Sequence, residues 1–361
     1  MPFERIIGQH RIKQFFQKAL ESGRLSHAYL FVGDRGVGKE AMALELAKAL
    51  FCSSKASKPC QECSDCLRVG KLSHPDVQVI FPSPAKVKED DQNRISKSIA
   101  TNPYLREEIW ANPSISIERI REVRRVSSYK SLEGKGRVII IIDAERMTQE
   151  ASNALLKILE EPPQKMYLLL ISSRPNLLLP TITSRCQVIK FDLLTIEEIE
   201  EALTERDCIQ PDQARLSARL AAGSYRRALE LLDEHLQELR DLSLEFFRKS
   251  IRNTFEQIIF VEDFLCSIQR DPKKIKDILA LLIVWFRDAM VFLEAHEEKA
   301  ERLVNYDQVA TLEKFAARFP DADLYGAVQQ IEKALALMDR NVQINLILIV
   351  LLKKLNSCIR R

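Results

Sequence analysis

The first half of the chain alternates short apolar runs with amphipathic stretches. Apolar runs lie at residues 28–32, 77–80, 138–142 and 167–171, and a shorter, weaker one follows at 187–191. Short apolar runs that are separated by helical patterns are typical of buried parallel strands joined by crossover helices. The pattern therefore predicts an α/β domain with a parallel sheet over residues 1–191.

The pattern changes to helical spacing beyond residue 191. Thr195 precedes Ile196-Glu197-Glu198, which predicts an N-cap followed by an acidic first turn. Helices are predicted over 213–222 and 224–239, with a break at Gly223, so residues 192–240 form a small helical domain. Residues 241–361 are predicted to be all helical, with a deeply buried helix over 279–293, which is apolar nearly all round. A further break is predicted near Asn341.

Residues 82–113 interrupt the α/β pattern. The segment opens with Pro82-Ser83-Pro84-Ala85-Lys86 and stays polar and mixed in charge as far as Asn112-Pro113. A segment of this composition cannot bury enough apolar surface to fold by itself. We therefore expect a solvated surface insertion that is partly disordered, and a specific binding role is the alternative.

Charge and composition exclude some classes of function. The formal net charge is only +3, so the overall field does not indicate a surface coated with nucleic acid, and any DNA contact must be local. No apolar run approaches the roughly 20 residues that a membrane-spanning helix needs. The first five residues, Met-Pro-Phe-Glu-Arg, contain no apolar core of a secretion signal. A cytoplasmic location is expected.

A phosphate-binding loop follows the first predicted strand. Gly33, Gly36, Gly38 and Lys39 form the pattern G-x-x-x-x-G-K between that strand and a helical run from Glu40 to Leu50. In this strand–loop–helix context, glycines let backbone N–H groups surround phosphate oxygens, and the lysine reaches the terminal phosphates. The motif predicts a P-loop fold.

Two departures weigh against ATP hydrolysis by this chain. The residue after Lys39 should be Ser or Thr, whose hydroxyl binds magnesium, but it is Glu40, which weighs against competent ATP binding. The strand ending at Asp143 resembles a Walker B strand, which supplies a carboxylate to the magnesium site. The glutamate that polarises the attacking water should come next, but that position is Ala144, and Glu145 is one step too far. The sequence therefore predicts no useful ATPase activity of its own.

Four of the eight cysteines are clustered. Cys52, Cys60, Cys63 and Cys66 have the spacing C-x7-C-x2-C-x2-C. Four thiolates suit a tetrahedral zinc ion and leave no open coordination position, so a structural zinc site is predicted. Disulfides and an iron–sulfur cluster remain as alternatives.

Together these motifs resemble one family closely. A phosphate loop followed by a four-cysteine insertion is the mark of the bacterial clamp-loader subunits gamma/tau and delta prime, which are AAA+ proteins of DNA polymerase III. Further resemblances to that family lie at 143–163, at 180–186, which contains the Ser184-Arg185-Cys186 motif, and, in the C-terminal region, at Trp285-Phe286-Arg287-Asp288 and Asn341-Val342-Gln343. The stretch Gly223-Ser224-Tyr225-Arg226-Arg227-Ala228 resembles its sensor 2 motif. The degraded ATP site beside an intact Ser-Arg-Cys motif is closer to delta prime than to gamma/tau.

The resemblance implies a AAA+ domain with a zinc module at 52–66, a helical lid and a helical collar domain. It implies that Arg185 is an arginine finger acting in trans, in the ATP site of a neighbouring gamma/tau subunit, because a permanently charged guanidinium suits a transferring phosphoryl group. Arg226 would be sensor 2, and Ser172 and Ser173 would lie at sensor 1. Alternatively, Arg185 forms an ordinary exposed ion pair, and the sensor residues only hold domains together.

The implied partners are gamma/tau and delta subunits in a five-subunit ring, the sliding clamp, and primer–template DNA reached through the assembly. The chain would then be a subunit of the DNA-directed DNA polymerase holoenzyme, in the cytoplasm at the replisome. Three rival interpretations are an active ATP-hydrolysing clamp-loader motor, a zinc-module protein that binds DNA by itself, and a P-loop protein of another function. The weak net charge argues against the second, and the Ser-Arg-Cys and collar resemblances argue against the third.

Overall fold

The structure is a computed structural model that describes residues 3–54, 58–84, 87–127, 131, 134–233, 236–294, 303–338, 340 and 342–360. The chain divides into two compact units. The first comprises Met1–Ala214 and Ala221–Leu229, and the second comprises Arg215–Leu220 and Glu230–Arg361. Asn341, at the predicted break in the C-terminal region, lies outside the described residues.

A five-stranded parallel sheet forms the centre of the first unit. The strands are β1 (Ala28–Val32), β2 (Val77–Ile80), β3 (Arg137–Ile141), β4 (Met166–Ser172) and β5 (Gln187–Lys190). Their order is β2-β3-β4-β1-β5, and every pairing in the sheet is parallel. The central strands β1, β3 and β4 are almost entirely buried, which explains their continuous apolar runs, whereas β5 is largely exposed.

Some helices of the first unit begin at a side-chain cap. Thr148 accepts a hydrogen bond from the N–H of Ala151, and Thr195 forms a reciprocal capping box with Glu198. These helices are α1 (His10–Glu21), α2 (Lys39–Phe51), α3 (Ser64–Gly70), α4 (Glu89–Thr101), α5 (Ile117–Ser127), α6 (Gln149–Glu160), α7 (Pro180–Thr183) and α8 (Ile196–Arg206). Two further helices, α9 (Pro211–Leu220) and α10 (Tyr225–Asp233), each extend into the second unit.

The described part of the second unit is helical. Its core contains an aromatic group in which Phe247 contacts Trp285, Phe286 and Phe315 at ring-centroid distances of 5.1–5.6 Å. The helices are α11 (Leu236–Ser250), α12 (Thr254–Ser267), α13 (Pro272–Glu294), α14 (Val309–Arg318), α15 (Leu324–Met338) and α16 (Ile344–Ile359). The predicted domain boundary at residue 240 falls inside α11. Among the described residues, no helix has the length and apolar character needed to cross a membrane.

The insertion at residues 82–113 differs from the expectation of a solvated segment. It contains α4, and Ile95, Ile99 and Tyr104 are buried. Ser83 and Ser114 are joined by a backbone hydrogen bond of 2.9 Å, so the two ends of the insertion meet. Ile95 and Ile99 are four residues apart and share one helix face. A few apolar residues therefore anchor a segment whose average composition is polar. The other predicted features of the fold class, a parallel sheet, a four-cysteine cluster and an all-α C-terminal region, are confirmed.

Candidate functional site

The phosphate loop lies between β1 and α2, at the carboxyl edge of the sheet. Gly33, Gly36 and Gly38 all have positive φ angles, of 155°, 79° and 103°. A Cβ atom on Gly36 would lie 2.4 Å from the Ser224 hydroxyl and 2.5 Å from the Arg226 Cβ. Glycine is therefore required at position 36 because the start of α10 packs directly against the loop.

Lys39 is directed into this loop. Its side chain is buried, and its Nζ donates hydrogen bonds to the carbonyl oxygens of Gly33 at 2.8 Å and Asp34 at 2.6 Å. Burial lowers the pKa of Lys39, although the nearby carboxylates of Glu40, Asp143 and Glu145 act in the opposite direction. The ammonium group is thus engaged by the loop's own backbone.

Asp143 lies two residues after the end of β3, at the same edge of the sheet. Its buried carboxylate accepts a hydrogen bond from Arg106 Nη2, and its Oδ2 lies 3.7 Å from Arg35 Nη2. Burial raises the pKa of Asp143, but the attraction of Arg106 and Arg35 outweighs it and holds the pKa below its usual range. Two guanidinium groups therefore surround the carboxylate that the sequence assigned to magnesium.

Glu108 connects the loop to Arg226. Its Oε1 accepts a hydrogen bond from Arg35 Nη1 at 2.8 Å and lies 3.2 Å from Arg226 Nη1. Although burial opposes the shift, Arg35, Arg226 and Arg106 lower the pKa of Glu108. The predicted sensor 2 residue is thus paired with a carboxylate of the insertion.

Tyr104 fills a space beside the loop. Its hydroxyl oxygen accepts a hydrogen bond of 2.8 Å from the N–H of Ile7, and its ring packs edge-on against Tyr225 at 5.2 Å. A Cβ on Gly38 would lie 3.1 Å from the Tyr104 hydroxyl. Burial raises the pKa of Tyr104 to about 12. The phenol is therefore a neutral, fixed part of this site.

The residues at the position expected for a general base, Ala144 and its neighbour Glu145, form a separate contact. Ala144 is buried, and Glu145 turns its Oε1 towards Ser173, from which it accepts hydrogen bonds from the N–H at 3.2 Å and from the hydroxyl at 2.9 Å. Ser172 accepts a hydrogen bond of 3.1 Å from the N–H of Arg174. The residues at the predicted sensor 1 position thus bind neighbouring protein groups.

Arg185 belongs to another part of the first unit and directly follows Ser184, the C-cap of α7. Its Nη2 lies 2.9 Å from Glu160 Oε1, and its Nη1 donates a 3.0 Å hydrogen bond to the Thr181 carbonyl oxygen. The side chain is 37% exposed. The sequence left open an exposed ion pair, and one is present, but it leaves the guanidinium at the surface.

The four clustered cysteines come together. Their sulfur atoms all lie within 4.8 Å of one another, whereas the sulfurs of a regular zinc–thiolate tetrahedron lie about 3.8 Å apart. The N–H groups of Cys63 and Cys66 donate to the sulfurs of Cys60 at 3.4 Å and Cys63 at 3.5 Å. Despite burial, such backbone donors lower the pKa of Cys63 to about 6. The residues fit a four-thiolate metal site.

Charged residues attach this cluster to the domain. Asp65 accepts hydrogen bonds from Lys135 at 2.6 Å, Arg68 at 2.6 Å and Ser53 at 3.0 Å. The bond from Lys135 is the main reason that the pKa of Asp65 is strongly lowered. The Nζ of Lys135 also donates to the carbonyl oxygen of Phe51, the last residue of α2. The cysteine module is therefore fixed to the end of α2.

Sequence reasoning missed several residues of the phosphate-loop site. Tyr104, Arg106 and Glu108 lie in the polar insertion, where no motif marks them, and Arg35 occupies a variable position of the loop pattern. Of the residues that the sequence singled out, Lys39, Asp143 and Arg226 all have partners around this loop. Ion pairs in the described residues connect Asp143 and Arg226 through Arg35 and Glu108.

Comparisons with known proteins match both the N-terminal and the C-terminal parts of the chain to subunits of DNA polymerase III. A family model described as DNA polymerase III, delta subunit, matches residues 8–195, and one described as DNA polymerase III, delta subunit, C terminal, matches residues 248–356. DNA polymerase III subunit delta′ of Bacillus subtilis strain 168 is 27% identical over 337 residues, which cover 93% of this chain and 92% of that protein.

Gamma/tau proteins are also similar. DNA polymerase III subunit tau of Escherichia coli K12 is 32% identical over 238 residues, or 64% of this chain and 32% of that protein. Subunit gamma/tau of Mycobacterium tuberculosis H37Rv is 29% identical over 252 residues, or 68% of this chain and 39% of that protein. The chain thus spans nearly the whole delta′ relative but less than half of either gamma/tau relative.

Proposed function

Because the chain belongs to the DNA polymerase III delta-subunit family and is a clamp-loader subunit, we propose that it supplies Arg185 in trans to the ATP site of a neighbouring gamma/tau subunit. It hydrolyses no ATP itself. The neighbour binds and splits the nucleotide while the assembly loads the sliding clamp onto primed DNA. The observation that carries this proposal is the contrast between an exposed arginine and a phosphate-loop site whose charged groups are already paired.

The exposure of Arg185 supports a role outside this chain. Its guanidinium is held by Glu160 and Thr181, so it has a defined position at the surface. An exposed ion pair contributes at most about 1 kcal/mol, so a partner can draw the guanidinium away at small cost. Charge that develops on a transferring phosphoryl group would provide a stronger partner than Glu160.

The chain's own phosphate-loop site fits magnesium–ATP poorly. Lys39 binds two backbone carbonyls, and Arg106 and Arg35 surround Asp143, where a magnesium ion would need the carboxylate. The residue after Asp143 is Ala144, which has no carboxylate to act as the general base. These features support the absence of hydrolysis.

The cysteine cluster has a structural role in this proposal. Cys52, Cys60, Cys63 and Cys66 would hold zinc through four thiolates, which leaves no coordination position for a substrate. The ion would fix the segment that follows α2 and would take no part in the chemistry of ATP.

The second unit would provide the contacts with other subunits. Helices α12 and α16 expose large apolar side chains, among them Phe255 at 73% and Leu346 at 56%. Exposed apolar residues on neighbouring helices favour association with another protein. We assign this unit to a collar with gamma/tau and delta subunits; the clamp and the primer–template would be reached through that assembly, in the cytoplasm.

The finger role is tested in an assembly reconstituted from this chain with gamma/tau and delta subunits. Arg185→Ala should reduce the DNA-stimulated ATPase activity, by up to about 10³-fold at the neighbouring site. Arg185→Lys should restore little, because an ammonium does not reproduce the planar donor pair. Arg24→Ala, at another exposed arginine of the first unit, is the matched control. Wild-type ATPase activity with Arg185→Ala would exclude the role.

A further inference from the structure

We propose that the segment Asn102–Glu108 is a resident ligand of the phosphate-loop site and occupies the places that magnesium and a nucleoside triphosphate would need. The proposal does not depend on Arg185. It gives the polar insertion a role, and it assigns the exclusion of nucleotide to the segment in addition to the lost motif residues.

First, the segment places a guanidinium where a metal ion would bind. In P-loop proteins the carboxylate at the position of Asp143 binds magnesium. Here the Arg106 side chain donates to that carboxylate, and both residues are shielded from solvent, with side-chain exposures of 12% and 5%. Removing one member of a buried pair leaves an uncompensated charge, which is costly. A magnesium ion would therefore have to displace Arg106 and take over its charge.

Second, the segment places a carboxylate where a phosphate would bind. Glu108 places one oxygen between Arg35, which belongs to the phosphate loop, and Arg226, at the predicted sensor 2 position. Arginine pairs with carboxylates and phosphates through the same planar arrangement of N–H donors. The carboxylate thus gives the two arginines the anionic partner that a terminal phosphate would otherwise provide.

Third, the segment places the Tyr104 ring where the base of a nucleotide would bind. Tyr104 lies against Gly38, accepts the backbone N–H of Ile7 and packs against the Tyr225 ring. A flat ring that carries a hydrogen-bond acceptor and contacts another aromatic ring has the features by which a nucleotide base would be held. Tyr104 is only 5% exposed, so a base could not share this space with it.

The segment also keeps the loop closed. The N–H of Tyr225 donates to the Gly36 carbonyl at 3.1 Å, and the Ser224 hydroxyl donates to the Arg35 carbonyl at 2.7 Å. Tyr104 and Glu108 each contact the start of the same helix, through Tyr225 and Arg226. The contacts that close an ATP-binding site around its nucleotide are therefore made here by protein groups, and the closed arrangement needs no ATP.

The test measures binding of a fluorescent ATP analogue, mant-ATP, with and without magnesium, to the full-length chain. The triple variant Tyr104→Ala, Arg106→Ala, Glu108→Ala should bind mant-ATP at least about tenfold more tightly than the wild type. In the triple variant Lys39 should bind the phosphates, so adding Lys39→Ala to it should remove the gain in affinity. Glu89→Ala with Asp90→Ala changes exposed residues in the first turn of α4, in the same insertion but outside the segment, and should leave binding at the wild-type level.

Several results would overturn the proposal. Wild-type affinity equal to that of the triple variant, or a folded triple variant without any gain, would show that the segment does not exclude nucleotide. A gain that survives Lys39→Ala would place the binding elsewhere. If the triple variant fails to fold, hydrogen exchange of the wild-type chain decides: protection of residues 102–108 should stay the same when ATP is added, and a change would contradict a resident ligand. None of these outcomes bears on the ATPase test of Arg185.

Discussion

The guanidinium of Arg185 lies 2.9 Å from the carboxylate of Glu160, the last residue of α6, and Arg185 itself lies two residues beyond the end of α7. The pair is exposed and contributes at most about 1 kcal/mol to folding. Its importance lies in position, because it gives a flexible side chain a preferred direction. In the proposed trans role of Arg185, Glu160 would be its positioning residue.

Glu160→Ala should lower the kcat of the assembly's DNA-stimulated ATPase by about two- to tenfold, because a finger without a fixed direction meets the phosphoryl group less often in a productive geometry. The KM for ATP and the unfolding midpoint of the chain should stay close to their wild-type values. Steady-state kinetics of the reconstituted assembly measure the effect. Glu150→Ala, in the first turn of the same helix, is the control. An effect of Glu160→Ala that persists in an Arg185→Ala background would show that Glu160 acts by another route.

Metal analysis of anaerobically purified protein should find about one zinc ion per chain. Cys66→Ser should abolish stoichiometric zinc binding and destabilise the chain by several kcal/mol, on the order expected for a structural site. Cys208→Ser removes an exposed cysteine outside the cluster and should change neither the zinc content nor the melting temperature. Iron with visible absorbance in place of zinc would contradict the assignment.

Glu108 predicts a pH dependence of stability. Burial raises the pKa of Glu108, but the attraction of Arg35, Arg226 and Arg106 has the larger effect, so the pKa lies below its ordinary value of 4.5. A lowered pKa means that the carboxylate stabilises the fold above its ordinary pKa and loses this effect as the pH falls through the folded value. The partly exposed pair should contribute about 0.5–1 kcal/mol at pH 7.

Urea denaturation of the wild type and of Glu108→Gln measures this contribution. The wild type should be more stable at pH 7, and the difference should shrink as the pH is lowered below about 4.5. A difference that is the same at pH 7 and at pH 3 would mean that Glu108 acts through packing and not through its charge.

The exposed apolar side chains of the second unit predict a loss of assembly. Phe255→Glu places a charge on a residue that is 73% exposed, so the isolated chain should fold with little change in stability. If α12 contacts another subunit, burying that charge should weaken association at least about tenfold. Size-exclusion chromatography with the partner subunits measures this. Glu245→Ala, on an exposed part of α11, is the control, and unchanged assembly of Phe255→Glu would exclude α12 from the interface.

The sequence predicted the central strands β1, β3 and β4 well because they are almost entirely buried. Buried strands are continuous apolar runs, and the run at 28–32 has the observed bounds. The predicted bounds of β2, 77–80, are also the observed ones, although its two central residues are only half-buried. The capping residue Thr195 was predicted equally well, because Thr and Glu three residues apart satisfy each other's backbone N–H donors. Local chemistry fixes these features, so they can be read one segment at a time.

The contacts around the phosphate loop could not be read in this way. Arg106 meets Asp143 across 37 residues of sequence, and Tyr104 meets Ile7 across 97. Nothing in the local pattern of the insertion marks these residues, because a polar segment that folds onto another surface has the same composition as one that remains in water. The sequence indicated that the site is defective, and the structure adds that protein groups fill it.

ATP turnover by the purified chain tests the central claim most directly. We expect the wild type to release phosphate at the same background rate as Lys39→Ala, both alone and in the presence of primed DNA. Turnover by the wild type that Lys39→Ala abolishes would contradict the account, because the chain would then split ATP at its own site.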